Sequence, residues 1–158
     1  MLTELYGAQY GNLVRLAALL VRDTGTAEEV VQDSFVALSD RMHRLRDSEK
    51  TLSYLRATVI NRSRSELRHR AVVERKAPGP APYVPSAEHC ALALLDRAAV
   101  VDALWKLPVR QREAVALRYY GNHSSAEIAA AMGISSGAVK RHTSRAMAAL
   151  RTILARDP

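Results

Sequence analysis

Residues 126–146 have the sequence AEIAAAMGISSGAVKRHTSRA, and this stretch decides the fold of the second half of the chain. Three alanines and a methionine lead into Gly133, and a segment with three basic residues follows. Glycine adopts a positive φ without strain, as the tight turn between two short helices requires. The stretch predicts a helix-turn-helix, with Gly133 at the turn and Ile134 filling the angle between the helices. An ordinary helical hairpin with solvated basic residues is the alternative interpretation.

The flanking residues predict where both helices begin and how they pack. Ser124 and Glu127 have the spacing of a capping box, and Ser135 can cap a second helix over about 136–155. Apolar side chains at helical spacing would form the shared core: Ile128, Ala129, Met132, Val139, Met147 and Leu150. The exposed face of the second helix would carry small, hydroxyl and basic residues: Ser135, Ser136, Gly137, Lys140, Arg141, Ser144 and Arg145. Such a face can contact phosphates and base edges in the major groove of DNA.

Composition supports a helical, nucleic-acid-binding chain. Its 158 residues carry 23 Lys and Arg against 16 Asp and Glu, a formal net charge of +7. An excess of this size favours a polyanionic partner. Aromatic residues make up only 5% of the chain and apolar residues 48%, which predicts aliphatic cores and helices rather than sheets. The single cysteine, Cys90, excludes an internal disulfide bond.

A proline-rich segment divides the chain. Residues 76–88, KAPGPAPYVPSAE, contain four prolines and a glycine, so we expect an extended linker. It separates a first domain at residues 1–75 from a second at residues 89–158. Neither part has a convincing strand pattern, and the predicted fold class is all-α, with two helical domains.

Helix boundaries follow from periodicity and capping signals. In the first domain, Thr26 and Glu29 predict a capping box that opens a helix at about 27–41. A longer helix is predicted at about 51–74. In the second domain, helices are predicted at about 87–106 and 108–120, the latter with Pro108 in its first turn. Trp105 and Tyr119 are expected in the core. The first domain begins with a helical stripe formed by Leu5, Leu13, Leu16, Leu19 and Leu20.

The second domain resembles region 4 of bacterial sigma factors. The resemblance rests on residues 107–151, LPVRQREAVALRYYGNHSSAEIAAAMGISSGAVKRHTSRAMAALR. It implies recognition of the −35 promoter element by the exposed face described above, and contact with the flap of the polymerase β subunit.

The first domain resembles sigma region 2. Residues 27–38, AEEVVQDSFVAL, resemble region 2.2, which implies docking on the coiled coil of the β′ subunit. The residues implied are Glu28, Glu29, Gln32, Asp33 and Phe35. Residues 54–70, YLRATVINRSRSELRHR, resemble region 2.4, and residues 44–54 correspond to region 2.3 and its adjacent loop. These imply −10 recognition and capture of an unstacked base by Arg46, Lys50, Tyr54, Asn61, Arg64, Ser65 and Arg68. For Tyr54, core packing is an equal alternative to base stacking.

The two regions are joined only by a linker, and no inhibitory extension is expected before them. This plan resembles the extracytoplasmic-function (ECF) group of sigma factors. The motifs are most similar to the SigE-like actinobacterial members of that group. This implies a cytoplasmic protein, monomeric when free, with core polymerase and promoter DNA as partners and an anti-sigma factor as a further candidate. Ser65 and Ser39 depart from the family pattern, where many relatives carry Asp and Trp. The departures put the −10 base preference and some packing in doubt.

Two rival functions remain at this point, a polymerase-independent DNA-binding regulator and a sigma mimic that titrates an anti-sigma factor. The first would leave residues 27–38 unexplained and usually needs dimer symmetry. The histidines are scattered, and His89 beside Cys90 is not at chelating spacing. We expect no enzyme activity, no cofactor, no metal and no membrane association.

Overall fold

The computed structural model describes residues 2–42, 44, 48–76 and 95–156. Every secondary-structure element in those ranges is helical, as predicted. The order is α1 (Leu2–Val21), α2 (Thr24–Arg41), α3 (Ser48–Lys76), α4 (Leu95–Trp105), α5 (Val109–Val115), a π-helical turn (Ala116–Tyr120), α6 (Ser125–Met132) and α7 (Ser136–Arg156). The proline-rich segment and the predicted start of the helix at 87 lie outside the described residues.

Helices α1, α2 and α3 pack on one another and form the first bundle. The apolar stripe of α1 is buried from Leu13 to Val21, and α2 buries Val30, Val31, Phe35 and Leu38. Leu55, Val59 and Ile60 complete this core from α3, where all three are fully buried.

The predicted capping box at Thr26 is wrong. Asp23 is the N-cap of α2, and its carboxylate accepts hydrogen bonds from the backbone N–H of Gly25 at 3.0 Å and from the Thr26 hydroxyl. The helix therefore begins at Thr24, three residues earlier than predicted. Asp23 lies three residues before Thr26 and can satisfy open N–H groups at the start of a helix just as Thr26 can. The sequence therefore offers two possible N-caps, and the helix begins after the earlier one.

The second bundle contains α4, α5, α6 and α7. Pro108 is the N-cap of α5 rather than a residue of its first turn. After α5 the helix widens by one π-helical turn, closed by a bond from the Gly121 N–H to the Ala116 carbonyl at 3.1 Å. The turn shifts the following side chains around the helix axis, and Tyr119 is 58% exposed. Its predicted place in the core is therefore wrong.

The two bundles pack against each other. One continuous cluster of buried side chains contains Val59 and Ile60 of α3 together with Ile128 and Met132 of α6. A second cluster joins α4, α5 and α7, and Leu19 of α1 packs against it. Trp105, at the end of α4, lies half-buried at this junction and donates its indole N–H to the Leu19 carbonyl at 3.1 Å. In this structure the helices α3 and α6 make the most extensive contact between the bundles.

Candidate nucleic-acid and protein interfaces

The helix-turn-helix forms as the sequence predicts. Ser124 caps α6, and its hydroxyl accepts from the Glu127 N–H at 3.2 Å while the Glu127 carboxylate accepts from the Ser124 N–H at 3.1 Å. Gly133 ends α6 with φ 69° and ψ 35°, the left-handed conformation. The N–H groups of Gly133 and Ile134 both donate to the Ala129 carbonyl, which closes the turn. These local bonds fix the angle at which α7 leaves α6.

Helix α7 separates a buried side from a polar one. Val139, Ala146 and Leu150 are buried, and Met147 is half-buried. Every residue predicted for DNA contact is exposed: Ser135, Ser136, Gly137, Lys140, Arg141, Ser144 and Arg145. The Ser135 hydroxyl accepts from the Ala138 N–H at 3.1 Å, so it caps the helix. Ser136 is then the first hydroxyl side chain available on this basic face.

Helix α2 presents an acidic face on the opposite side from its buried residues. Glu28, Glu29, Gln32 and Asp33 are all exposed. Phe35 differs, because its side chain is only 5% exposed and packs against Tyr6 with ring centroids 4.9 Å apart. Its position is that of a core residue which supports the acidic face, and direct contact with a partner would need the core to open.

Two apolar residues that sequence analysis missed border this acidic face. Tyr6 of α1 is 40% exposed and stacks on Tyr10 at 4.7 Å, and Val36 of α2 is 62% exposed. The Tyr10 hydroxyl lies 3.5 Å from the Gln32 amide nitrogen, which places the aromatic pair beside the acidic residues. An exposed tyrosine next to charged residues is typical of a protein interface. The sequence signal was available, since Tyr6 lies outside the apolar stripe of α1.

Helix α3 carries all the predicted −10 residues except Arg46. Four of them are exposed, whereas Tyr54 and Arg64 are partly buried. Lys50, Asn61, Ser65 and Arg68 are exposed, and Arg68 donates to the Ser65 hydroxyl at 3.2 Å. Arg46 lies outside the described residues.

Tyr54 is half-buried against the core of the first bundle, and the Arg41 guanidinium lies 5.4 Å from its ring centroid. One side of the Tyr54 ring therefore packs on the core, and the other faces the Arg41 guanidinium. This geometry is compatible with base stacking and with core packing.

A groove between α2 and α3 joins the acidic face to the exposed −10 residues. Most of its lining residues are polar, and the lining consists of Val30, Asp33, Thr58, Asn61, Arg62, Ser65, Glu66 and His69. Arg62 is exposed here and was not among the predicted residues. A partner on the acidic face would therefore lie next to nucleic acid bound along α3.

Arg64 points toward the second bundle. Its Nε and Nη2 donate to the two carboxylate oxygens of Glu113 at 3.1 and 2.9 Å, and its Nη1 donates to the Asn61 side-chain oxygen at 3.2 Å. Glu113 is 2% exposed, and Arg110 approaches the same carboxylate at 3.5 Å. Glu113 was not among the predicted residues, because no local pattern distinguishes it from other helix residues.

A second ionic contact between the bundles centres on Glu127. Its carboxylate meets the Arg56 guanidinium at 3.2 Å and His123 Nδ1 at 3.7 Å. The bonds from the Ser124 backbone N–H and side chain lower the pKa of Glu127. Burial and the nearby Arg56 lower the pKa of His123, and Glu127 acts in the opposite direction. Glu127, which is part of the N-terminal capping box of α6, thus also forms an ion pair with Arg56 of α3.

The described part of the chain contains no helix long and apolar enough to cross a membrane. Within the same ranges, no three His, Cys, Asp or Glu side chains lie close enough together to hold a metal ion.

Comparison with known proteins matches both bundles to one family. The family described as Sigma-70 region 2 matches residues 5–72, and Sigma-70, region 4 matches residues 97–150. The RNA polymerase sigma-E factor of Streptomyces coelicolor is 34% identical over 146 residues, which cover 92% of this chain and 81% of that protein. The ECF RNA polymerase sigma factor SigM of Mycobacterium tuberculosis is 32% identical over 151 residues, covering 96% of this chain and 76% of that one.

Two solved structures have the same fold. One is the sigma factor RpoE of Bartonella quintana in complex with the anti-sigma factor NepR, with a TM-score of 0.77 and 24% identity over 99% of this chain and 97% of that one. The other is CnrH in complex with the cytosolic domain of CnrY, with a TM-score of 0.74 and 24% identity over 99% of this chain and 89% of that one. Together with the matched regions, these relatives show that the chain belongs to the sigma-70 family, in its extracytoplasmic-function group, and is a promoter-recognition subunit of RNA polymerase.

Proposed function

We propose that this sigma factor divides its work among three surfaces. The acidic face of α2 docks on core polymerase, the polar side of α3 recognises the −10 element, and the exposed face of α7 recognises the −35 element. The observation that carries the proposal is the separation of charge between these helices. The exposed candidates on α2 are acids and an amide, whereas α7 exposes only hydroxyl, glycine and basic residues among its candidates.

The docking surface on core polymerase combines charge with an aromatic anchor. Glu29 and Asp33 supply the acidic part, Gln32 adds an amide, and we expect a basic partner surface on the coiled coil of β′. Tyr6 and Val36 supply the apolar part, and tyrosine is among the residues that contribute most binding energy in protein interfaces. Phe35 holds Tyr6 in place from below. The flap of β is the proposed second contact, made by the region 4 bundle.

The two DNA surfaces have different roles. On α7, Arg141 and Arg145 reach base edges in the major groove, while Ser136 and Lys140 hold phosphates. On α3, Asn61, Arg64, Ser65 and Arg68 meet the −10 element, and Tyr54 stacks on an unstacked base there. Capture of that base offsets the few kcal/mol that unstacking costs, about the magnitude of one stacking contact. DNA melting then needs no nucleotide hydrolysis by this chain.

The remaining parts of the proposal concern where and how the protein acts. We place it in the cytoplasm as a monomer when free, without enzyme activity of its own. The domain limits follow the expected ones, 1–75 and 89–158 with a linker at 76–88. An anti-sigma factor is a proposed partner, because RpoE and CnrH were solved with NepR and CnrY.

Run-off transcription on a promoter library tests the proposal against its two rivals. Core polymerase with the purified chain should start transcripts at a defined subset of templates that core alone does not use. A polymerase-independent regulator would bind DNA without producing new starts. A sigma mimic would do neither, although it would still bind an anti-sigma factor. No starts beyond those of core alone would refute the proposed function.

A further inference from the structure

The Tyr54 ring, which is proposed to stack on an unstacked base, already has a cation over one face. The guanidinium of Arg41, in the last turn of α2, lies 5.4 Å from the centroid of this ring. Tyr54 is half-buried, and its other side packs on the core of the first bundle. The face that a base would need is therefore the face that Arg41 covers.

The contact with Tyr54 is what positions the Arg41 side chain. Arg41 is exposed, and its guanidinium forms no ion pair with another of the described residues. A positive charge is favourable at the C-terminal end of α2, but a lysine would supply that charge equally well. The helix end therefore accounts for the charge of this residue, and it does not account for a planar guanidinium placed over an aromatic ring.

An unpaired base can displace Arg41 from the ring. A cation over an exposed aromatic ring changes an equilibrium constant about twofold to fivefold, whereas a stacked base changes it about fivefold to a hundredfold. A guanidinium is planar and stacks on nucleobases as well as on aromatic side chains. After displacement, Arg41 can therefore keep a stacking contact by moving to the outer face of the base.

Lys50 adds a second positive charge on the same side of α3. It is exposed and precedes Tyr54 by four residues, which places the two side chains on one face of the helix. A captured nucleotide carries a phosphate with its base, and Lys50 can contact that phosphate. An aromatic platform flanked by cations is the usual composition of a site for single-stranded nucleic acid.

We propose that Arg41 is a further residue of the −10 site, where it binds one unpaired base of the promoter strand. In the free chain its guanidinium covers the Tyr54 ring. When the promoter opens, the base takes that face of the ring and Arg41 stacks on the outer face of the base, which is then held between the two side chains. The inference rests on the proposed function of Tyr54.

An abasic nucleotide tests this through the base itself. The probe is the single-stranded −10 element of a promoter that is active in the run-off assay, bound to core polymerase with the full chain. One abasic nucleotide is placed at each position in turn, and the position that weakens binding most, about tenfold, identifies the captured base. Arg41→Ala should weaken binding of the intact strand about threefold to tenfold. It should bind the strand that lacks the captured base as well as the parent chain does.

Arg41→Lys separates stacking from charge. It keeps the charge at the end of α2 but has no planar group, so it should lose as much affinity for the intact strand as Arg41→Ala. Arg15→Ala removes an exposed arginine of α1 that bonds to Asn12, and it should bind both strands like the parent chain. Equal losses on the intact and abasic strands, or full affinity of Arg41→Lys, would overturn the role of Arg41.

Tyr54→Ala distinguishes failure of this inference from failure of the proposed function. If the effect of Tyr54→Ala disappears on the abasic strand while Arg41→Ala has no effect on either strand, the base is captured without Arg41 and only this inference fails. If no abasic position weakens binding of the parent chain, no base is captured, and the proposed function of Tyr54 fails as well.

Discussion

The guanidinium of Arg64 in α3 and the carboxylate of Glu113 in α5 form a two-point ion pair, with donor–acceptor distances of 3.1 and 2.9 Å, although 49 residues separate them in the sequence. Because Glu113 is almost fully buried, the pair is the inner contact of the interface between regions 2 and 4. A buried ion pair adds little net stability, but removal of one partner is costly, about 3–5 kcal/mol. Removal of either partner should therefore destabilise the packing of α3 on α5.

The acidic face of α2 gives the first prediction. Asp33→Arg should weaken binding to core polymerase at least about tenfold, because it reverses the charge in the middle of an exposed acidic face. Fluorescence-detected titration of core polymerase with labelled chain measures the effect. Glu74→Arg, at an exposed position near the end of α3, makes the same change in net charge away from that face. Equal affinity of the two variants would show that only total charge matters.

The aromatic part of that surface gives a second prediction. Tyr6→Ala should weaken core binding by about 1–2 kcal/mol, the usual effect of removing a tyrosine anchor from an interface. The same titration measures it, and circular dichroism checks that the bundle remains folded. Val73→Ala removes an exposed apolar side chain near the end of α3, away from the docking surface on α2, and serves as the control. If Tyr6→Ala binds core polymerase with the affinity of the parent chain, Tyr6 does not contribute to docking and only the acidic residues of α2 remain as the docking surface.

The exposed face of α7 gives a third prediction. Arg145→Ala should weaken binding of polymerase to a −35 duplex by about 1–3 kcal/mol if the arginine contacts a base edge, and should leave −10 binding unchanged. Arg151→Ala removes another exposed arginine about one and two-thirds turns further along the same helix. Electrophoretic mobility assays of holoenzyme on each element compare the two. Equal losses at both elements would contradict separate recognition surfaces.

The turn between α6 and α7 gives a fourth prediction. Gly133→Ala should reduce the free energy of unfolding by about 1–2 kcal/mol, because a residue with a Cβ is strained at φ 69°. Gly137→Ala is the matched control, since an added Cβ there meets its nearest atom at an ordinary 3.6 Å. Urea unfolding followed by circular dichroism measures both. If Gly133→Ala is as stable as the control, the turn is not held in this conformation.

His123 gives a prediction about pH. Its pKa is lowered in the folded chain, first by burial and then by Arg56, so the unfolded chain binds more protons. Stability should therefore fall as the pH drops through about 6.5, the ordinary histidine value, and level off below the lowered folded pKa. His123→Gln should flatten this dependence in urea titrations between about pH 7.5 and 5.5. His69→Gln removes an exposed histidine of α3 outside this contact and serves as the control.

The helix-turn-helix could be predicted because its signals are local. Each signal acts within four residues, and they are the capping box of Ser124 and Glu127, the turn at Gly133 and the cap at Ser135. All three have the predicted roles. The start of α2 was harder to predict, because Asp23 and Thr26 can both cap and only packing selects between them. The exposure of Tyr119 follows from one π-helical turn, which breaks the regular spacing on which a prediction of burial depends.

Contacts between the two regions could not be predicted. Arg64 in isolation has the sequence signature of a DNA-binding residue, and its pairing with Glu113 depends on how two separately folded bundles meet. Phe35 shows the same limit within one bundle, since the motif suggests a docking residue whereas α1 and α2 bury its ring beneath Tyr6. Sequence patterns identify which residues a surface can use, and packing decides which of them are exposed.

The most direct test of the proposed division between α3 and α7 is the sequencing of transcript starts from a randomised promoter library, using core polymerase with the full chain. We expect the selected promoters to share two separate sequence blocks, at −10 and −35, with a nearly fixed spacing. Arg145→Ala should weaken selection of the upstream block alone. A single selected block, or two blocks that Arg145→Ala weakens equally, would contradict recognition of the promoter by two separate surfaces of this chain.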